Sequence, residues 1–180
     1  MYLLHFDGLF RDMSEYGGNS LQAGFMSYGW LVSRNEQCIA RGLGGFARGR
    51  YANSSIAEYI ALVEGLDALL DMGLCGELVE IRGDAKSVID QMDGLARVTS
   101  NPTRSLHQRA MGLALRFERL HWRWVPRQSN RAADLLTRQA IRRMHNGEYY
   151  QQFLGALDAG QGGSSKLLPI LDLRVFQFVQ

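Results

Sequence analysis

NSSIAEYIALVEGLDALLDMGLCGELVEIRGDAKSVIDQM, residues 53–92, changes its hydrophobic period twice and so sets the architecture. Ile56, Ile60, Val63, Leu66 and Leu70 recur at helical spacing through about Met72, where Gly73 stops them. Asn53, Ser54 and Ser55 supply N-cap chemistry at the start of that helix. Residues 77–82 (ELVEIR) then alternate as a short strand, and Gly83-Asp84 opens a second, shorter helix through about Met92.

Upstream of this passage the chain reads as strands. Residues 1–7 are apolar and suit a strand that ends at Asp7, with a loop rich in Gly, Ser and charge from Gly8 to about Ser20. Residues 23–32 (AGFMSYGWLV) make a second strand, Arg34-Asn35-Glu36 a polar turn and residues 37–47 a third strand. Gly42, Gly44 and Gly45 suggest a bulge or twist in that third strand. Downstream, residues 93–102 form a loop with Asn101-Pro102, and a helix runs from about Thr103 to Glu118. Residues 120–125 (LHWRWV) alternate, which puts Leu120, Trp122 and Trp124 on one face of a strand that Pro126 ends. Ser129 or Asn130 can cap a last helix from about Arg131 to Met144. The order β-β-β-α-β-α-α-β-α predicts an α/β fold, a mixed five-stranded sheet with its first three strands antiparallel and helices on both faces.

That domain occupies residues 1–145, and residues 146–180 form a C-terminal extension. The extension holds a short helical pattern (148–158), a Gly/Ser stretch (159–165) and an apolar end from Lys166 to Gln180. Leu171, Leu173, Val175 and Val179 share one face of a strand, which would dock on the chain's own domain or on a partner. No apolar run approaches the roughly 18 residues of a membrane span, so no membrane partner is expected. The first residues lack the basic and apolar segments of a secretory leader, so a cytoplasmic location is expected. Cys38 and Cys75, without metal-ligand or redox spacing, read as core thiols.

The net charge of +2 conceals an asymmetry. Residues 1–96 carry 7 basic and 13 acidic residues, whereas residues 97–143 carry 11 arginines against Glu118 and Asp134. Lys86 and Lys166 are the only lysines. The arginine-rich stretch is either a set of solvated helix faces or a surface that contacts phosphates, which the planar guanidinium fork suits.

Asp7, Glu58, Asp84 and Asp134 each stand at the boundary of an expected element: the end of the first strand, the first turn of the long helix, the end of the fourth strand, and the first turn of the last helix. An acid in a first helical turn is explained by the helix dipole. Taken together, strand ends and helix starts of a mixed sheet can converge, and four converging carboxylates repel unless a cation neutralises them. Hard oxygen ligands suit Mg²⁺ or Mn²⁺ and not Zn²⁺.

Four blocks resemble the signature blocks of type 1 ribonuclease H. They are Phe6-Asp7-Gly8; Ala57-Glu58-Tyr59-Ile60-Ala61-Leu62; Gly83-Asp84-Ala85-Lys86-Ser87-Val88-Ile89; and Val125-Pro126-Arg127-Gln128-Ser129-Asn130-Arg131-Ala132-Ala133-Asp134-Leu135-Leu136. They stand in the family's order over roughly residues 1–145, and the 93–106 loop resembles the short branch that lacks a basic helical handle. The resemblance implies an endonuclease that hydrolyses the RNA strand of RNA–DNA hybrids with two divalent ions, leaving 5′-phosphate ends. It implies that Asp7 bridges both ions, that Asp134 completes the ion that activates water, and that Glu58 and Asp84 hold the ion at the leaving oxygen.

The departures from the family pattern are local. Longer members place a His in the loop before the last acid; here Arg127 stands there and could move near the scissile phosphate. Asn53-Ser54-Ser55 replaces the family's Thr-Asn-Asn, and the 9–22 loop lacks Asn-Pro-Gly, so duplex RNA is a secondary substrate to expect beside the hybrid. The implied nucleic-acid contacts are Gly8, Asn53, Ser54, Ser55, Arg104, Arg127, Asn130 and Arg131. Trp122 and Trp124 read as strand core in preference to a platform for bases. Two other readings stay open: a nucleic-acid-binding module of this fold without catalysis, and a nuclease of the resolvase or transposase type.

Overall fold

The computed structural model describes residues 1–12, 24–48, 53–145 and 168–176. Three strands come first: β1 (Tyr2–Asp12), β2 (Gly24–Arg34) and β3 (Gln37–Arg48). α1 (Ser54–Asp71), β4 (Leu78–Gly83), α2 (Lys86–Met92), α3 (Asn101–Ala114), β5 (Arg119–Trp124) and α4 (Arg131–His145) follow, and β6 (Leu168–Phe176) closes the chain order. Strands lie in the order β5-β4-β1-β2-β3-β6. β1, β2 and β3 pair antiparallel, while β4 runs parallel to β1 and β5 parallel to β4. The five expected strands thus form the mixed sheet, and β6 adds a sixth, antiparallel to the outer edge of β3.

Alternation along the strands separates two cores. Leu4, Phe6, Met26, Tyr28, Trp30 and Val32 face α1 and are buried with it. Eleven of α1's 18 residues are buried, because the sheet covers one side and α3 another. Leu9, Phe25, Leu31 and Leu43 face the opposite way, onto the stripe Leu136, Ala140, Ile141 and Met144 of α4. Helices therefore cover both faces. Between α2 and β5 a single helix, α3, fills the connection; Pro102 sits in its first turn, where proline lacks no needed donor, so the helix begins two residues before Thr103. Among the described residues no helix is long and apolar enough to cross a membrane.

Several sequence expectations shift. β1 does not end at Asp7 but continues to Asp12, because β2 offers it hydrogen-bond partners along its whole length. Residues 9–12 of the expected 9–22 loop are therefore strand; residues 13–23 and the helical pattern at 148–158 lie outside the described residues. Glu58 is the fifth residue of α1, in its second turn and not its first. The register between β2 and β3 shifts at Val32/Ser33, away from the glycines, whereas that between β3 and β6 shifts at Gly45/Phe46, at one of them. Gly42 instead leaves room for Trp30, whose ring lies 2.3 Å from where a Cβ would stand. The Arg34–Gln37 turn has Asn35 and Glu36 both at positive φ, 51° and 65°, the backbone of a two-residue hairpin. Cys38 follows that turn at the rim of the sheet and is exposed, not core.

Candidate active site

The site lies in a notch where β1 outruns β4. Parallel pairing stops at His5↔Arg82, β4 ends at Gly83, and β1 runs on. Its backbone groups beyond that point need other partners. Asn130 Nδ2 donates to the Phe6 carbonyl at 2.8 Å, and the Gly8 N–H donates to Glu58 Oε2 at 3.1 Å. Side chains thus replace the missing strand, and both belong to the sequence-predicted blocks.

Close backbone approach brings the blocks together. A Cβ on Gly8 would stand 2.2 Å from the Ala57 carbonyl carbon, so only glycine lets α1 touch β1 there and deliver Glu58 beside Asp7. A Cβ on Gly29 would stand 2.6 Å from Leu136 Cβ and 2.8 Å from the Ala133 carbonyl oxygen, so the same device seats the first turn of α4, which carries Asp134. Asp84 follows β4 directly. Its carbonyl accepts from the Trp124 indole at 3.0 Å, and its Oδ1 accepts from Asn130 Nδ2 at 2.9 Å.

The fourfold convergence expected from sequence is three plus one. Asp7, Glu58 and Asp84 each offer a carboxylate oxygen, all within 4.8 Å of one another. Asp134 stands outside this trio, with Oδ1 at 2.7 Å from Arg127 Nη2 and Oδ2 at 2.7 Å from Arg138 Nε. Burial, then the negative charges of Asp84 and Asp134, push the Asp7 carboxyl up to about 7. Burial foremost, then Asp7 and Asp84, raises Glu58 well above the usual carboxylate range. Asp134 moves the other way: the hydrogen bond from Arg138, reinforced by Arg127, lowers it despite partial burial. Two buried acids that resist ionisation beside a third acid make an all-oxygen donor set that a hard divalent cation fits.

Asn130 is the hub that the sequence did not reveal. It is 1% exposed, so its expected contact with nucleic acid gives way to a structural one. Its amide nitrogen serves both Phe6 and Asp84, so its Oδ1 must accept, and His5 Nδ1, 3.2 Å away, carries the proton. Burial lowers the His5 pKa, in keeping with a neutral ring. Gly8 is also buried, its N–H committed to Glu58, and is not a surface contact. Ser54, Ser55, Arg104, Arg127 and Arg131 are exposed, and Asn53 caps α1 by accepting from Ile56 N–H at 2.9 Å. Trp122 is half-buried against the main core, whereas Trp124 is 46% exposed and holds the Asp84 turn. Two more residues escaped the sequence reading. Thr137 Oγ1 lies 3.2 Å from Asp7 Oδ2 and 2.7 Å from the Asp134 carbonyl oxygen. Arg138 had a legible signal, since it follows Asp134 at the i,i+4 spacing of a helical ion pair.

Known proteins share this arrangement of elements. The family described as Reverse transcriptase-like matches residues 17–140. Bifunctional protein Rv2228c of Mycobacterium tuberculosis is 33% identical over 130 residues, which is 69% of this chain and 32% of that protein. Ribonuclease HI of Halobacterium salinarum is 34% identical over 138 residues, 76% of this chain and 62% of that protein. The chain thus spans about a third of the mycobacterial relative's length and under two thirds of the halobacterial one's. Among solved structures, RNase H1 from the halophilic archaeon Halobacterium salinarum superposes with a TM-score of 0.62 at 30% identity, over 78% of this chain and 96% of that one. LC11-RNase H1 in complex with an RNA/DNA hybrid shares the fold, with a TM-score of 0.63 at 20% identity over 81% of this chain and 100% of that one.

Proposed function

Because the chain belongs to the reverse transcriptase-like family of ribonuclease H domains, we propose that it is an endoribonuclease that hydrolyses the RNA strand of RNA–DNA hybrids with the aid of divalent cations. The observation that carries this reading is the trio Asp7, Glu58 and Asp84, brought from three separate segments to within 4.8 Å at an open strand end. Such a trio without a counter-ion keeps Asp7 half protonated near neutrality, which a structural acid would gain nothing from.

Asp7, Glu58 and Asp84 would hold Mg²⁺ or Mn²⁺, and Asp134, freed from its guanidinium partners, would supply a ligand for a second ion. Bound there, divalent ions neutralise the attacking and leaving oxygens of an in-line displacement. The chain's own residues supply position. Asn130 and Trp124 fix Asp84, the Gly8 N–H fixes Glu58, and Thr137 lies against Asp7. Arg127, 63% exposed at its side chain, is tethered to Asp134 and close enough to contact a phosphate beside the carboxylates. Exposed Ser54 and Ser55 stand beside Asn53 at the start of α1, where hydroxyls replace the family's amides. Hybrid is then the best substrate, with side activity on duplex RNA.

Labelled RNA–DNA hybrid, duplex RNA and branched DNA, each with Mg²⁺ or Mn²⁺, test the reading. Hybrid cleavage should dominate, and Asp7→Asn should reduce it by ~10³-fold or more, as loss of a central electrostatic group does. Full activity in Asp7→Asn, or in excess EDTA, would end the reading; tight hybrid binding without cleavage would favour the non-catalytic module.

A further inference from the structure

Beyond the carboxylate notch, on the α4 face of the sheet, a cavity of about 300 Å³ is lined by Leu9, Phe10, Arg11, Arg138, Ile141 and Arg142. Its composition follows from two periodicities. Arg138 and Arg142 stand one helical turn apart on α4, and Arg11 follows Leu9 on the same face of β1, in the part of β1 that extends past Asp7. Three guanidiniums around one concavity repel each other, an unfavourable arrangement unless they share an anion. Arg138 is compensated by Asp134 at 2.7 Å. Arg11 and Arg142 have no ion-pair or hydrogen-bond partner among the described residues. Leu9 and Ile141, packed into the core under α4, give the cavity an apolar floor, which strengthens any charge interaction above it.

We propose that this cavity is a phosphate subsite, which seats a backbone phosphodiester of the bound nucleic acid on the strand that leaves the notch alongside α4. The proposal rests on the hybrid-cleaving reading. Arg138 links the two places, since its Nε–H holds Asp134 while the same side chain lines the cavity. A continuous nucleic-acid strand is the polyanion that can occupy both at once. Arginine suits this better than lysine, because its fork offers several donors to the phosphate oxygens.

The test is the pair Arg11→Gln with Arg142→Gln, which leaves Arg138 and its grip on Asp134 in place. Both residues are exposed, and circular dichroism verifies the fold. Binding and cleavage of a hybrid are measured across a salt series for wild type and variant. A matched control, Arg34→Gln with Arg116→Gln, removes the same charge at the end of β2 and in the turn that follows α3. The double variant should bind about tenfold more weakly at about 0.15 M salt, with a shallower slope of log affinity against log salt by about one to two. KM should rise by more than kcat falls, and the control should stay near wild type. A hybrid series with a single neutral methylphosphonate at successive positions adds a second readout: one position should matter for wild type and cease to matter for the variant. If wild type cleaves hybrid while the variant matches the control, or shows the wild-type methylphosphonate profile, the subsite is wrong and the functional reading stands. If wild type neither binds nor cleaves hybrid, both fall together.

Discussion

Asn130 is one amide that ties Phe6, Asp84 and His5 together, so its replacement separates position from chemistry. Asn130→Ala leaves the Phe6 carbonyl and the His5 ring without their partner and should cost about 1–3 kcal/mol of stability. Asp84 loses its orientation, so kcat should fall by about 10–100-fold with little change in KM for hybrid. Thermal melts and steady-state kinetics on one preparation check both. An unchanged kcat would mean that Trp124 alone holds Asp84. Asp7 gives a pH prediction. Its folded pKa, about 7, lies above the ordinary value of 3.8, so between these the folded protein binds a proton that the unfolded chain has released. The contribution of Asp7 to stability without metal is therefore full below about pH 4 and is lost as pH rises to about 7, with Glu58 acting in the same direction and Asp134, whose pKa is lowered, in the opposite one. Melting temperature in EDTA should drop over that window by several degrees, and Asp7→Asn should flatten the decline. Mg²⁺ should restore the wild type at neutral pH and do little for the variant.

At the scale of elements, β6 is the addition. It covers β3 from Ala40 to Ala47, and Arg174 reaches across to Glu64, and to Asp71 at 3.2 Å, on α1. A strand and an ion-pair clasp thus close an edge that would otherwise offer unpaired backbone to another chain. Deletion of residues 166–180 should lower the melting temperature and promote self-association, seen by light scattering, while the metal dependence of cleavage stays as in the full chain. An unchanged melting temperature and solution mass would show that β6 contributes nothing to the domain. Gly8 is the counterpart inside the site. Gly8→Ala forces a carbon to within 2.2 Å of the α1 backbone and must push Glu58 away from Asp7. Metal affinity, read by calorimetry, should fall further than melting temperature does.

For the whole molecule, charge distribution governs substrate capture. Arginines on α3, on the turn before α4 and on α4 itself leave most of their guanidiniums in water, while the carboxylates sit in the notch between them. Affinity for hybrid should fall steeply with salt. Neutralising Arg104, Arg127 and Arg131 together should weaken binding and flatten that slope, and Arg127→Gln also releases one oxygen of Asp134. An unchanged slope would show that Arg104, Arg127 and Arg131 are solvated and not phosphate contacts, and would leave Arg11, Arg138 and Arg142 as the phosphate contacts.

Periodicity and boundary residues determined the element order, the antiparallel start, the parallel end and the three acids that meet, because burial alternates with the local repeat and strand ends are marked by Gly, Pro and acid. Strand length was not local information. β1 continues past Asp7 because β2 pairs with it there, and the site exists because β4 does not. Tertiary structure alone decided that Asn130 turns inward, that Gly8 and Gly29 are points of contact and not of flexibility, and that Asp134 stands apart from the trio. Each of these depends on which side chain or backbone lies opposite across more than twenty residues of chain, a distance that no sequence period encodes.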